Sequence, residues 1–138
     1  MNARPIVVAV GGDVLEQTQA FAAGLVAGLR DRRVVARCAD DDREAYAGAV
    51  LAPADVVIVY GTSALATRAL RAQFDVSVWL EGELVAAQAR HAQFRVRFDD
   101  GIWIVGRDGA VVGARDAEQF VAERVRAAGA RLTEAVVA

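Results

Sequence analysis

The residues best placed to bind a ligand follow the first apolar run of the chain. Gly11 and Gly12 end that run, and residues 13–18 continue as Asp-Val-Leu-Glu-Gln-Thr. A glycine turn that leads into a helix presents backbone N–H groups, which often hold phosphate groups in proteins. For a ligand held by this turn and by the turn after the third predicted strand, the predicted contact residues are Gly12, Asp13, Val14, Glu16, Gln17, Thr18, Thr62 and Ser63.

Two acidic side chains, Asp13 and Glu16, give this turn the wrong charge for a phosphate group. At an effective dielectric constant near 20, each like charge at ~4 Å opposes anion binding by about 4 kcal/mol, and by far less where the carboxylate faces solvent. The chain also contains no lysine, because all 16 basic residues are arginine. A P-loop lysine and a Schiff-base lysine are therefore excluded, and the sequence favours binding without a phosphate cofactor.

Further acidic residues follow the later predicted strands, at Asp40–Asp42, Glu81 and Glu83. Ligands of parallel sheets bind at the carboxyl ends of the strands, and hard cations take oxygen ligands. One interpretation is therefore a magnesium or cationic-substrate site. The other is helix capping, which the sequence favours because Asp is a preferred N-cap and its charge stabilises helix N-termini. Asp13 is expected to cap the first helix, and no metal ligand is assigned.

The chain offers few nucleophiles or general bases. His91 and Cys38 are the single residues of their types, so one chain cannot supply a Cys/His zinc site. Ser63 lies on a strand-to-helix turn, but its surroundings, Tyr-Gly-Thr-Ser-Ala, do not match a nucleophile elbow. We therefore assign no catalytic residue, and the sequence leaves open whether the protein is an enzyme.

A regular alternation of strands and helices positions these residues. Apolar, β-branched runs predict strands at Ile6–Val10, Val34–Cys38, Val56–Tyr60 and Asp75–Leu80. Helices are predicted from Glu16 to Leu29, over residues 40–50, and at Ala64–Ala72 and Glu83–Gln93. This order predicts an α/β fold with right-handed crossovers. We expect a three-layer, open, mainly parallel five-stranded sheet in a single domain, residues 1–138.

The C-terminal part departs from this alternation. Short strands predicted at Arg95–Phe98, Ile102–Gly106 and Ala110–Gly113 are joined by Asp-Asp-Gly and Arg-Asp-Gly, which are good hairpin turns. Asp116–Ala135 then has the apolar spacing of an amphipathic helix. We expect a β-hairpin at or near one edge of the sheet, followed by this closing helix.

The opening strand, turn and helix resemble those of the flavodoxin-like family. The family's first turn reads [ST]-x-[ST]-G-x-T and continues as x-x-x-A-x-x-[LIV], and Thr18, Ala22 and Leu25 match its last three fixed positions. Residues 54–63, Ala-Asp-Val-Val-Ile-Val-Tyr-Gly-Thr-Ser, are similar to the family's third strand and the loop beyond it. The resemblance covers about residues 1–80, and it implies a flavodoxin-like strand order.

The same resemblance implies FMN as a candidate cofactor. Its phosphate would bind the backbone amides of residues 14–18 and the Thr18 hydroxyl, with the two carboxylates of the turn directed to solvent. Flavin sites in this family usually stack the ring on an aromatic residue from the loops after strands three and four. Gly61–Gln73 contains no aromatic residue, and Trp79 lies within a predicted strand, so we do not favour FMN.

The first turn also resembles the P-loop of nucleoside kinases. Gly11, Glu16, Gln17 and Thr18 have the register of G-x-x-x-x-G-K-[ST], with Glu16 in place of the second glycine and Gln17 in place of the lysine. The resemblance implies a degenerate member of that group. Without the lysine, and with a carboxylate in the loop, phosphoryl transfer is not expected.

The amino-acid composition limits the kinds of partner that we expect for this chain. The net charge is −2, so nothing draws the chain to nucleic acid or to an anionic membrane surface. The lone Cys38 favours the reducing cytoplasm. Four aromatic residues near the C-terminal strands are expected in the core, namely Trp79, Phe94, Phe98 and Trp103.

A hairpin at an edge of the sheet would give some of these residues another role. Trp103, with Ile102 and Ile104, would then face a second subunit, so we expect a homodimer. The favoured interpretation is a cytoplasmic, flavodoxin-like binding or accessory domain with a remodelled, acidic phosphate loop, which binds a protein partner or a small ligand. The alternative is an FMN-binding electron-transfer protein or reductase, and a second alternative is a degenerate P-loop kinase-like protein.

Overall fold

The computed structural model describes residues 5–39, 53–65, 74–82, 89, 91–98, 101–106, 108–114 and 116–137. These ranges hold the following elements: β1 (Ile6–Gly12), α1 (Leu15–Gly28), β2 (Val34–Cys38), β3 (Val56–Gly61), β4 (Val76–Leu80), β5 (Phe94–Phe98), β6 (Ile102–Gly106), β7 (Val111–Ala114) and α2 (Ala117–Val137). Each lies within about two residues of a predicted element. The helices predicted over 40–50, 64–72 and 83–93 lie largely outside the described residues.

The described strands form one seven-stranded sheet in the order β2-β3-β1-β4-β5-β6-β7. Strands β1 to β5 are parallel to one another, whereas β6 is antiparallel to β5 and β7 is antiparallel to β6. The α/β class is therefore confirmed. The expectation of five strands is wrong, because β6 and β7 continue the sheet beyond β5 through backbone hydrogen bonds.

The expected flavodoxin-like strand order is also wrong. That order places the first strand between the second and the third, whereas here β3 lies between β2 and β1. Val56, Val57, Ile58 and Val59 of β3 are fully buried, as an interior strand covered on both faces requires. The resemblance rested on local motifs at the start of the chain, and such motifs do not determine which strand pairs with which.

The antiparallel strands confirm the two predicted hairpin turns. Phe98 pairs with Ile102 across the first turn, and Val105 pairs with Val111 across the second. Gly101 and Gly109 have φ angles of 137° and 87°. Both values lie in the region that glycine adopts without steric cost, which explains the glycine at the end of each turn.

Strand β1 contributes to cores on both faces of the sheet. Val8 packs against α1 and α2, in one cluster with Leu25 and Val125. Val7 points to the opposite face and packs with Val57, because successive residues of a strand alternate between faces. Each fully buried Val or Leu contributes roughly 1.5–3 kcal/mol to folding. The two described helices contact each other, so both lie on the same face of the sheet.

Candidate functional site

The strand order creates a crevice at the carboxyl end of β1. In the parallel register Gly11 lies beside Gly61 of β3, and Gly12 lies beside Leu80 of β4. From β1 the chain continues to β2 on one side, and from β4 it continues to β5 on the other. In open α/β sheets, ligands bind outside the carboxyl ends of strands that diverge in this way. The first turn therefore occupies the position that topology favours for a site.

The structure places the predicted contact residues at the carboxyl ends of two neighbouring strands. Residues 12–18 follow β1, and Thr62 and Ser63 follow the neighbouring strand β3. Glu16 and Gln17 are exposed on α1, whereas Thr18 is fully buried. The two segments are thus adjacent, and the binding of a ligand between them stays a prediction.

Several hydrogen-bond donors of the first helical turn are engaged within the helix. The amides of Gln17 and Thr18 both donate to the carbonyl oxygen of Val14, at 3.1 and 3.2 Å. The Thr18 hydroxyl donates to the carbonyl oxygen of Leu15 at 2.7 Å. Three of the donors required for an FMN phosphate are therefore directed elsewhere, and the hydroxyl lies inside the protein.

The expected capping of α1 by Asp13 is wrong. The N-cap residue is Val14, and no side chain accepts a hydrogen bond from the first turn. Instead, the Oδ2 atom of Asp13 is buried without a hydrogen-bond partner among the described residues. It lies against Gly82, where an added β-carbon would stand 2.6 Å from this oxygen. This carboxylate lies beside the crevice at the carboxyl end of β1, and a negative charge there opposes anion binding.

The acidic residues expected along this edge do not gather into a cation site in the described part of the chain. Glu81 forms ion pairs with Arg95 at 3.3 Å and with Arg97 at 2.9 Å, because all three lie on the neighbouring strands β4 and β5 or at their ends. Glu83 and residues 40–42 lie outside the described residues. Among the residues that the structure describes, no three His, Cys, Asp or Glu side chains are grouped as metal ligands would be.

Cys38 and His91 do not form a catalytic pair. Cys38 ends β2 at one edge of the sheet, and His91 precedes β5, with β3, β1 and β4 in between. Four strand spacings separate these positions by roughly 19 Å. The Cys38 thiol is half-buried and free, and its place on an edge strand fits a small packing side chain.

An apolar cavity of about 840 Å³ lies beside the first turn. It is formed by the N-terminal halves of α1 and α2, the end of β4, and the hairpin between β5 and β6. Its apolar lining includes Phe21, Leu80, Phe98, Ile102, Trp103 and Ala117. Three of these are large side chains at the surface, with Phe98 53%, Ile102 36% and Trp103 41% exposed. Exposed aromatic and aliphatic side chains around a cavity are typical of a binding surface.

The predicted aromatic cluster is separated by the sheet. Trp79 is buried, as expected of a core residue, and it lies on the face opposite to its neighbour Leu80. Phe94 is half-buried, with its ring edge-on to Phe120 at 5.2 Å. Phe98 and Trp103 line the cavity instead, so the expectation that they belong to the core is wrong. Strand alternation places Phe94 and Phe98 on the face opposite to Trp79. The pairing of Trp103 with Arg97 places Trp103 on the Trp79 side, at the end of the hairpin.

The cavity is not visible in the sequence, because five separate segments form it. No motif links Phe21 on α1 with Ile102 on β6 or with Ala117 on α2. One signal was present: Phe98 directly precedes the polar turn Asp-Asp-Gly. An aromatic residue at the end of a strand, next to a solvated turn, has little room to be buried and indicates an exposed position.

The polar part of the cavity lining is acidic. Asp116 caps α2, since its Oδ1 atom accepts a hydrogen bond from the Gln119 amide at 3.0 Å. Glu118, two residues further along the chain, extends over Gly24 of α1, and a β-carbon at position 24 would overlap its carboxylate. Burial raises the pKa of Glu118, and the charge of Asp116 raises it further. The charged residues among the described lining are these two acids, and Gln17 is the remaining long polar side chain.

Comparison with known proteins adds no family to this description. The chain matches no protein-family model, and it matches no curated protein in sequence. Neither of the two described helices has a segment that is both long and apolar enough to cross a lipid bilayer. A function for this chain is therefore inferred from the site itself.

Proposed function

We propose that this chain is a cytoplasmic binding domain that holds a ligand in the apolar cavity, and that it does not hold a phosphate cofactor at its first turn. The observation that carries the proposal is the cavity of about 840 Å³ beside a turn whose carboxylate is buried and unpaired among the described residues. Ligand sites in proteins are typically about 300–1,000 Å³, mostly apolar, with a few polar groups.

The chemistry of the lining supports binding over catalysis. Phe21, Leu80 and Ile102 supply apolar surface, and Asp116 and Glu118 supply negative charge. The lining contains no histidine or cysteine among the described residues, and a nucleophile paired with a general base is what covalent catalysis requires. The cavity is therefore best suited to hold a molecule by its apolar surface.

The hairpin also supports the proposal of a homodimer. Ile102 and Trp103 remain exposed, but Ile104, which was expected to join them, is buried within the chain. Strand β7 is the edge strand on this side of the described sheet, so β6 pairs with a strand on each side. A second copy would therefore approach the end of the hairpin, where Phe98, Ile102 and Trp103 lie, rather than the backbone of β6.

A neutral fluorescent dye such as Nile red tests the proposed ligand site. The full chain is expected to bind it, and Ile102→Asp is expected to weaken binding at least about tenfold, because a charge enters the apolar lining. Val111→Asp is the matched control, since Val111 is also an exposed aliphatic residue of the hairpin region but lies outside the cavity.

Four results would contradict the proposal. Failure of wild type to bind the dye, or unchanged binding of the dye by both variants, would remove the cavity as the site. Yellow purified protein, or micromolar quenching of added FMN fluorescence, would instead favour the FMN-binding alternative. A rise in Tm with ATP would favour the kinase-like alternative.

A further inference from the structure

We propose that the ligand of this cavity is an amphiphilic cation, with its apolar body among Phe21, Phe98 and Ile102 and its positive group beside Glu118. The inference rests on the proposed function, because it assigns a chemical class to the ligand of the same cavity. A primary or quaternary ammonium group on an alkyl or aromatic body has the required chemistry.

The first observation is the charge of the side chains that line the cavity. Both charged residues among the described lining, Asp116 and Glu118, are acids. Two arginines of β5, Arg95 and Arg97, pair with Glu81. Arg124 lies over the rings of Phe94 and Phe120 at 5.4 and 5.2 Å, and Arg107 and Arg115 lie outside the described residues. The described lining of the cavity therefore carries negative charge.

The second observation is the position of the Glu118 carboxylate. Its carboxylate fills the space above Gly24 and is held between α1 and α2 at the cavity wall. The structure gives this carboxylate no ion pair with a described arginine, and its raised pKa follows from burial and from the neighbouring Asp116. A carboxylate that loses water without gaining a partner is stabilised by an incoming cation.

The first turn adds further negative charge beside the cavity. Asp13, at the carboxyl end of β1, has a buried carboxylate oxygen packed against Gly82, and Glu16 is exposed on the first turn of α1. Gln17, the next residue, lines the cavity itself. An anionic amphiphile of equal length meets the same apolar wall and is repelled by these carboxylates.

Three probes with the same ten-carbon chain test the inference: decyltrimethylammonium, decyl maltoside and decyl sulfate, each below its micelle concentration. Binding is measured by displacement of Nile red and by calorimetry. Wild type is expected to prefer the ammonium over the neutral probe by about tenfold, which corresponds to ~1.4 kcal/mol. Glu118→Gln is expected to abolish that preference, so that the ammonium and the neutral probe bind with equal affinity.

Glu123→Gln is the matched control, because Glu123 is an exposed acid of the same helix that does not line the cavity. It is expected to keep the preference. Equal affinity of wild type for the ammonium and the neutral probe would overturn the inference and leave the proposed function standing. A preference that survives in Glu118→Gln would also overturn it. Failure of all three probes to bind would instead overturn the proposed function.

Discussion

The ring of Trp79 lies directly over the backbone of Gly11, so that a β-carbon at position 11 would stand 2.8 Å from Cε3 of the indole. The two residues are partners in the register of β1 and β4. Trp79 is 2% exposed and packs with Ala9, Leu65 and Ala92. Gly11, the penultimate residue of β1, is therefore required by the packing of Trp79.

We expect Gly11→Ala to destabilise the protein, because the buried indole must move to admit a methyl group. Overpacking of this kind typically costs about 1–3 kcal/mol, which thermal or urea unfolding would resolve. Gly28→Ala is the control: its nearest contact would be an ordinary 3.8 Å from Ala122. Alanine is a better helix former than glycine, so Gly28→Ala should leave stability unchanged or raise it. Equal stability of Gly11→Ala and wild type would contradict the packing described here.

The two aspartates that precede the helices are expected to respond differently to alanine. Asp116 accepts a hydrogen bond from the Gln119 amide, so Asp116→Ala should lower the free energy of unfolding by about 0.5–2 kcal/mol. Asp13 makes no such bond, since α1 has no side-chain cap. Asp13→Ala should therefore cost nothing or stabilise the fold, because a buried oxygen without a partner is removed. Urea unfolding of the two variants compares them directly, and an equal loss in both would show that Asp13 is a cap after all.

Glu118 is expected to give the protein a pH dependence of known sign. Its pKa is raised in the folded protein, first by burial and then by the charge of Asp116. Folding therefore favours its protonated form, and stability falls as pH rises from the unfolded pKa through the folded pKa. We expect Glu118→Gln to raise Tm relative to wild type near pH 7 and to have no such advantage near pH 3.

The control for this titration is Glu123→Gln, measured over the same pH range. Glu123 is an exposed acid of the same helix, so Glu123→Gln should raise Tm near pH 7 less than Glu118→Gln does. A pH-independent effect of Glu118→Gln would show that the carboxylate is solvated in the folded protein.

The proposed homodimer is tested by sedimentation. Wild type should sediment with twice the mass of the chain, and Trp103→Ala should shift the population towards monomer, because it removes exposed apolar surface at the end of the hairpin. Val111→Ala serves as the control, since Val111 is 60% exposed on the edge strand β7. Identical monomer masses for wild type and Trp103→Ala would rule out this interface.

The sequence by itself determined the local structure of this protein. Apolar runs and glycine turns placed the described strands to within about two residues, and the glycines at 101 and 109 marked both hairpins. These features depend on the backbone preferences and hydrophobic periodicity of a few neighbouring residues. The acidic character of the first turn was also visible, because Asp13 and Glu16 are adjacent in the chain to its glycines.

Only the tertiary structure decided the strand order, the role of Asp13 and the cavity. The pairing of β1 with β3 joins residues about fifty positions apart, such as Val8 and Ile58, and no local pattern distinguishes this neighbour from another apolar strand. The cavity likewise combines Phe21, Ile102 and Glu118 from three distant segments. The strand order and the cavity depend on the packing free energy of the whole core, to which all the segments contribute together.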